Sequence, residues 1–406
     1  VLLANRNLLF LAPSLTLVAT MTQPRVPRVA VLVDTATGWG RRLVHGILMY
    51  AQKHGGWHVW VEARGQDEKL RLPPGWRGDG IIARVSSPAL AEHLSGRRAV
   101  VNISSIKPRG ARFHSVASDT KACAQVAADH LLDRGLRNFG YCSLVERGYV
   151  DFHRRAFAEV LGSRGYPCAV YSPGRGCGKR APWEAQLESL IDWLRGLPKP
   201  VGILTWATKS GVELINACGD AGIRVPDEIA VLGGDEDDLL CEACRPPLSS
   251  VHVAAEQIGH DAAQMLDELM QGRKPAVQDI QIAPTGIVAR QSTDLLAVED
   301  TDLVAAIRFI RDHCDETIQV VDVARAASVS RRSLERRFLS FLGRTIHDEI
   351  ARAHLERAID LLVRTEMPIP AIASAAGYGS SEYFATVFKK SMGTTPLKYR
   401  ARIRGR

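Results

Sequence analysis

The sequence predicts two parts of different fold class: a two-lobed α/β domain over residues 27–292, and an all-α domain built on a repeated helix–turn–helix unit over residues 303–406. Three observations carry this. Short apolar runs alternate with amphipathic segments through the first region, the pattern of parallel sheets covered on both faces. No strand-like run survives in the second region. The charge also divides: residues 303–406 hold 18 Lys/Arg against 11 Asp/Glu, nearly all of the net +8.

The chain has 406 residues, 46% hydrophobic and 24% charged, which excludes wholesale disorder, collagen and a disulfide miniprotein. Dense local Lys/Arg is what phosphate neutralisation needs, although a solubilising basic tail carries the same charge. Eight cysteines (Cys123, Cys142, Cys168, Cys177, Cys218, Cys241, Cys244 and Cys314) are scattered through apolar segments, as buried thiols in a reducing compartment would be. Cys241 and Cys244 form a lone CxxC with no second pair at zinc spacing, so no metal and no cofactor is expected. The first twenty residues are apolar and resemble a weak signal peptide, with Arg6 as the early charge and Pro13 breaking the run. Residues 1–26 are read as an extension or a misassigned start, with Met21 as the expected start and no membrane span.

The strands expected in order are 28–34, 58–63, 80–85, 99–104, 138–144, 167–172, 201–206 and 229–234. Helical patterns lie between them at 40–54, 120–134, 152–164, 184–196 and 209–221. The second lobe starts after Ser118, and ligands of such folds sit at the carboxyl ends of strands. Residues 293–302 read as a linker. Helices are then expected at 303–314, 320–327, 331–342, 346–364, 369–376, 381–392 and from 396 onward.

Two segments of the last region resemble each other, 320–343 and 369–393. Each has a short helix with inward Val323/Ala324 or Ile372/Ala373. A tight turn follows at Ser328–Ser330 or Gly377–Gly379, then a longer helix with Leu334/Phe338 or Phe384/Phe388 at i, i+4. In helix-turn-helix units the second helix reads DNA. Ser330 is the expected cap of the first reading helix. Arg331, Arg332 and Ser333 project from its first turn toward base edges, and one or both of Arg336 and Arg337 are expected to reach phosphate. In the second copy Ser380, Ser381 and Glu382 occupy the first turn behind a Gly379 cap, with Lys389 and Lys390 near the end. An ordinary helical bundle with a solvated Arg face mimics one such unit. Two copies about fifty residues apart, joined by one long helix, are far more specific.

These residues resemble the DNA-binding domain of the AraC family of transcription activators, through "VSRRSLERRF", "LERAIDLL", "IPAIASAAGY" and "YFATVFKKSMGTTPLKYR" with its G-x-T-P end at Gly393–Pro396. His354 stands where that family commonly has Arg, and Gly379 where Ser is usual. The resemblance implies two reading helices in successive major grooves of double-stranded operator DNA.

Residues 220–251 resemble the ligand domain of LacI/GalR repressors and periplasmic sugar-binding proteins, through G-x-x-V-P-x-x-x-x-V-x-G-x-D ending at Asp235, followed by "PLSSV". Residues 116–142, with Asp119 at the usual acidic position, and 75–85 match as well. The first part is therefore expected to be a periplasmic-binding-protein-like domain. A sugar needs carboxylate or amide acceptors, an Arg donor and an apolar or aromatic wall. Asp235, Asp34, Trp39, Arg84, Trp206 and Thr208 all follow or end predicted strands, where a cleft collects them. Asp235 is the strongest candidate; Trp39 and Trp206 are read almost equally well as core or hinge packing. His153 sits where related domains place a sugar-binding Arg, a departure that alters ligand chemistry unless Arg154 substitutes. Thr208 replaces a frequent Asp or Asn.

A sugar-binding-like module first and an AraC-type reader last resembles the xylose operon regulator family from Arg28 onward. That implies D-xylose or a related pentose as effector, a cytoplasmic homodimer and contact with RNA polymerase. The alternatives are an exported sugar-binding protein and the same regulator architecture responding to a different sugar. An enzyme is not expected: there is no nucleophile elbow, no GxGxxG after the first strand and no P-loop, and 174–182, though Gly- and Lys-rich, lacks P-loop spacing and reads as a loop.

Overall fold

The computed structural model describes residues 25–65, 69–108, 112–145, 148–172, 183–294 and 300–403. The apolar start, the 174–182 segment with Cys177, and linker residues 295–299 lie outside the described residues.

Lobe one opens with β1 (Arg28–Leu32), α1 (Gly38–Lys53), β2 (His58–Val61), β3 (Gly80–Ala83), α2 (Pro88–Leu94), β4 (Val100–Asn102) and β5 (His114–Ser118). The chain crosses at Asp119 into lobe two, with α3 (Thr120–Leu132), β6 (Asn138–Cys142), α4 (Gly148–Gly162), β7 (Cys168–Tyr171), α5 (Trp183–Gly196), β8 (Val201–Thr205), α6 (Thr208–Asp220), β9 (Ile229–Gly233), α7 (Asp238–Ala243) and β10 (Ser249–His252). It returns through α8 (Ala255–Met270) and β11 (Asp279–Ile282), then crosses a third time into β12 (Gly286–Val288). The sheet orders are β11-β5-β4-β3-β1-β2 and β12-β10-β9-β8-β6-β7. The first is wholly parallel; in the second, β12 runs antiparallel to β10.

The central strands β1, β3, β8 and β9 are apolar and almost wholly buried, which is why they stand out in the sequence. The edge strand β11 alternates exposed and half-buried residues, and β12 is three residues long. Neither carries an apolar run, so neither was read as a strand. Helices α1 and α8 pack backbone to backbone through Gly46 and Gly259: a Cβ on Gly46 would lie 2.0 Å from the Glu256 carbonyl oxygen, and one on Gly259 2.1 Å from that of Leu43.

Thr293, the first residue of the expected linker, belongs to lobe two together with Ser292. Ser292 donates to the Val231 carbonyl at 2.6 Å, and Thr293 is buried against Ser249 and His130. The helical part follows as α9 (Thr301–Asp312), α10 (Val320–Ala326), α11 (Arg331–Leu342), α12 (Ile346–Arg364), α13 (Ile369–Ala375), α14 (Ser381–Met392) and α15 (Pro396–Ile403). It holds two cores. Leu334 and Phe338 pack with α9, α10 and the start of α12, whereas Phe384, Phe388 and Tyr399 pack with α13 and the end of α12. Gly343 and Gly393 end α11 and α14 in the left-handed conformation, at φ 69° in both. Ser328 takes the positive-φ turn position in the first half and Gly377 in the second.

Candidate functional site

A cleft opens where the strand ends of the two lobes meet. Trp39, Arg84, His153, Trp206 and Asp235 line it, joined by Tyr149, Phe152, Ser104, Ser105 and Ser118.

Arg84, from the end of β3, anchors one wall. Its Nη1 lies 2.7 Å from Oδ2 of the buried Asp34, which follows β1. Its guanidinium carbon sits 4.5 Å from the Tyr149 ring centroid, 5.0 Å from Trp39 and 5.7 Å from Trp206. An ion pair to a second carboxylate-bearing strand and three aromatic faces fix one donor in the cleft. Asp34 therefore sits behind Arg84, outside the lining, and orients it.

Asp235 enters from the loop after β9. Its Oδ1 accepts the Thr208 backbone N–H at 2.7 Å and lies 3.0 Å from the Thr208 hydroxyl. Oδ2 makes no bond to any described residue. Burial pushes the carboxyl up from its ordinary range, against the Thr208 hydrogen bonds and the charges of Arg42 and Arg84, which favour the anion. Thr208 holds this carboxylate and does not line the cleft.

His153 is buried. The Tyr141 hydroxyl lies 3.0 Å from its Nδ1, and its ring stands edge-on to Trp206 at 5.7 Å. Burial pushes its pKa down to about 4, so the imidazole is neutral at pH 7. At this position, where the sequence departs from the arginine of related domains, the cleft has an uncharged ring. Arg154 does not substitute: its Nε and Nη2 both lie on Asp151 Oδ1, at 3.0 and 2.6 Å, on the outer face of α4. Asp119 also faces elsewhere. It caps α3 by accepting from Ala122 N–H at 2.9 Å, a backbone use that explains an acidic residue at a crossing.

The residues that the sequence reading missed come from strand ends and from α4. Ser104, Ser105 and Ser118 follow or end β4 and β5, where the strand-end principle applies. Tyr149 stands in the first turn of α4, which starts four residues earlier than its apolar period suggested. At the cleft mouth α1 reaches across to lobe two: Arg41 pairs with Asp237 at 2.8 Å, and Arg42 donates to the Glu236 carbonyl at 2.8 Å.

The second candidate surface is formed by α11 and α14. Ser330 accepts from Ser333 N–H at 3.3 Å, capping α11. Ser380, not Gly379, caps α14 by accepting from Tyr383 N–H at 3.2 Å: a hydroxyl satisfies an orphan amide that glycine cannot. Arg331 is exposed and paired with Glu335 one turn on, at 2.8 Å. Arg332 and Arg336 are exposed with no ion pair among the described residues. Arg337 is turned inward and held by Asp300 and Asp302, at 2.7 and 2.8 Å, at the start of α9. Glu382, Lys389 and Lys390 are exposed on α14, where Tyr383 and Thr386 join them. Ser381 is half-buried and donates to Glu382. Tyr383 went unread because an aromatic beside Phe384 looks like core; it is 58% exposed.

Among the described residues no helix is long and apolar enough to cross a membrane. Cys241 and Cys244 are buried in the core of lobe two.

Two domain families match the chain, a periplasmic binding protein-like domain over residues 128–293 and a helix-turn-helix domain over residues 323–402. The chain is 30% identical to the xylose operon regulatory protein of Escherichia coli (strain K12) over 387 residues, covering 92% of this chain and 96% of that one. It is also 30% identical to the protein of the same name from Haemophilus influenzae, over 92% and 98% of the two chains. A solved structure of a xylose-binding transcription activator superposes with a TM-score of 0.60 at 28% identity, covering 93% of this chain and 98% of that one.

Proposed function

The chain belongs to the family of xylose operon regulatory proteins, and on that premise we propose that it is a sugar-responsive, sequence-specific transcription regulator, an activator of pentose utilisation genes. D-xylose or a related pentose binds in the cleft, and α11 and α14 read double-stranded operator DNA. The observation that carries the reading is the joining in one chain of an aromatic-walled cleft holding one oriented carboxylate and one oriented guanidinium to two serine-capped helices with exposed basic residues.

In this reading Asp235 Oδ2 accepts from sugar hydroxyls, Arg84 donates to a ring or hydroxyl oxygen, and Trp39, Tyr149 and Trp206 cover the apolar face of the ring. The neutral His153 accepts or donates one hydrogen bond. One positive and one negative group suit an uncharged polyol. The replacement of an arginine by His153 is what makes another pentose the second candidate. Arg331, Arg332 and Ser333 meet base edges, Glu382 and Tyr383 do so in the second groove, and Arg336, Lys389 and Lys390 meet phosphate. Activation brings RNA polymerase in as a partner, and a second copy of the chain completes a paired operator. Such a regulator works in the cytoplasm, on the nucleoid.

The test is a thermal-shift series over a sugar panel followed by operator titration of the full chain. D-xylose is expected to stabilise the protein most and to raise its DNA affinity. Equal DNA affinity with and without D-xylose at every concentration rejects xylose as effector. A second measurement separates the two neighbouring arginines. Arg336→Ala is expected to weaken binding evenly on all sequences and to lower the salt slope by about 1. Arg337→Ala is expected to leave that slope unchanged; an equal drop for both would place Arg337 on phosphate.

A further inference from the structure

The two halves of the helical domain are docked on the ligand domain at different places. In the first half Arg344, held by the buried Glu349 at 2.6 Å, reaches Asp133 at the end of α3 in lobe two, also at 2.6 Å. Arg137 adds a bond to the Phe341 carbonyl at 3.1 Å. In the second half the position fifty residues after Glu349 is Tyr399. It is fully buried, and its hydroxyl donates to the Thr285 carbonyl at 2.6 Å. Thr285 lies in the third crossing between the lobes, between β11 and β12. Its backbone N–H donates to the His252 carbonyl at 3.0 Å, and its hydroxyl lies against His252 Nδ1. His252 ends β10 at the second crossing, and its Nε2 lies 3.5 Å from Glu236, the neighbour of Asp235 in sequence. Val253, next to His252, lines the cleft. On its other side the Tyr399 ring stands edge-on to Phe388 of α14, at 5.2 Å. Helix α15 also lies against α8 of lobe one.

The first half therefore rests on lobe two, while the second is tied to the crossings between the lobes. Each half has its own core. We propose that Tyr399 is the positioning residue that carries effector occupancy to the second reading helix, its hydroxyl holding the hinge carbonyl of Thr285 and its ring holding Phe388 of α14. A change of lobe angle displaces the crossing, the crossing displaces Tyr399, and the packed ring moves α14 as a unit, because close-packed cores transmit displacement. The equivalent Glu349 makes no such link; it anchors an arginine to a rigid helix end.

This rests on the sugar-responsive reading above, and its test is built so that each can fail alone. The full-length chain, Tyr399→Phe and Asp133→Asn are titrated with a duplex that the unaltered chain selects from a random-sequence pool, with and without D-xylose. Tyr399→Phe keeps the ring and removes only the hydroxyl. Effector–DNA coupling runs at about 5- to 150-fold. Tyr399→Phe is expected to bring the ratio of affinities to within about twofold of one while D-xylose affinity stays unchanged. Asp133→Asn, which loosens the other anchor, is expected to keep the ratio. A retained ratio in Tyr399→Phe, or an equal collapse in both variants, overturns Tyr399 as the path and leaves the effector reading intact. If the unaltered chain does not respond to D-xylose, that reading fails, and hydrogen exchange of the sugar-free proteins decides. Tyr399→Phe must then speed exchange in residues 279–288 as well as in 396–403, and unchanged exchange in 279–288 overturns the proposal.

Discussion

Asp235→Asn is expected to weaken D-xylose binding by about 2 kcal/mol, roughly 30-fold, with little change in the melting temperature of the sugar-free protein. An asparagine Oδ1 still accepts the Thr208 N–H, so the loop after β9 keeps its anchor. What is lost is the charge on the oxygen that faces the cleft, and hydrogen bonds to a charged group contribute about 1.5–3 kcal/mol each. Burial already raises this carboxyl's pKa, so the anion costs something to maintain in the empty cleft. That arrangement makes sense where hydroxyl donors arrive with the ligand. Calorimetric titration of the variant with D-xylose checks it. An unchanged dissociation constant would move the sugar away from Asp235 and leave Arg84 as the only charged contact.

Phe338→Ala is expected to cost about 3–5 kcal/mol and to abolish operator binding while leaving sugar binding intact. Phe338 is fully buried in the core of the first half, against Leu303, Ile307 and Ile310 of α9 and Ile346 and Ile350 of α12. Deleting the ring removes a large part of what holds α11 on α9 and α12, and α11 carries the free Arg332 and Arg336. The ligand domain has cores of its own, so its melting transition and its D-xylose titration should survive. Loss of both activities together would mean that the domains fold as one unit. Unaltered operator affinity would mean that α11 is not a reader.

The candidate cleft was partly legible because strands deliver residues to their carboxyl ends in a fixed way. Arg84, Trp206 and Asp235 each end or follow an apolar run that reads as a strand, and all three line the cavity. Asp34 was found by the same rule, yet it serves Arg84 from behind. Asp119 and Arg154 show where the rule stops. A carboxylate at a crossing and a guanidinium on a helix have local partners, Ala122 N–H and Asp151, that satisfy them before any ligand arrives. Tyr149 and Phe152 were hidden for the opposite reason: aromatic residues in an amphipathic helix look like core until the neighbouring lobe is in place. In the helical domain the i, i+4 pairs Leu334/Phe338 and Phe384/Phe388 located α11 and α14, because all four side chains must be buried for the helices to stand where they do. The same pattern cannot tell Arg336 from Arg337, whose Cα positions differ by one residue. Asp300 and Asp302, more than thirty residues away in sequence, separate them.

What the sequence alone determined is everything with a short period: the strand–helix alternation of a two-lobed α/β domain, the repeated helical unit, the serine that caps α11, and the concentration of basic charge in the last quarter. These are local, since hydrophobic spacing and capping act over a few residues. The tertiary structure alone decided which polar groups were left for a ligand and which were consumed by the fold, how Arg84 is caged by three aromatic rings, and that Tyr399 reaches the hinge. Those depend on partners brought together from distant segments, such as Tyr399 and Thr285, 114 positions apart, and a hydrogen bond has no signature in the sequence until both of its ends are placed.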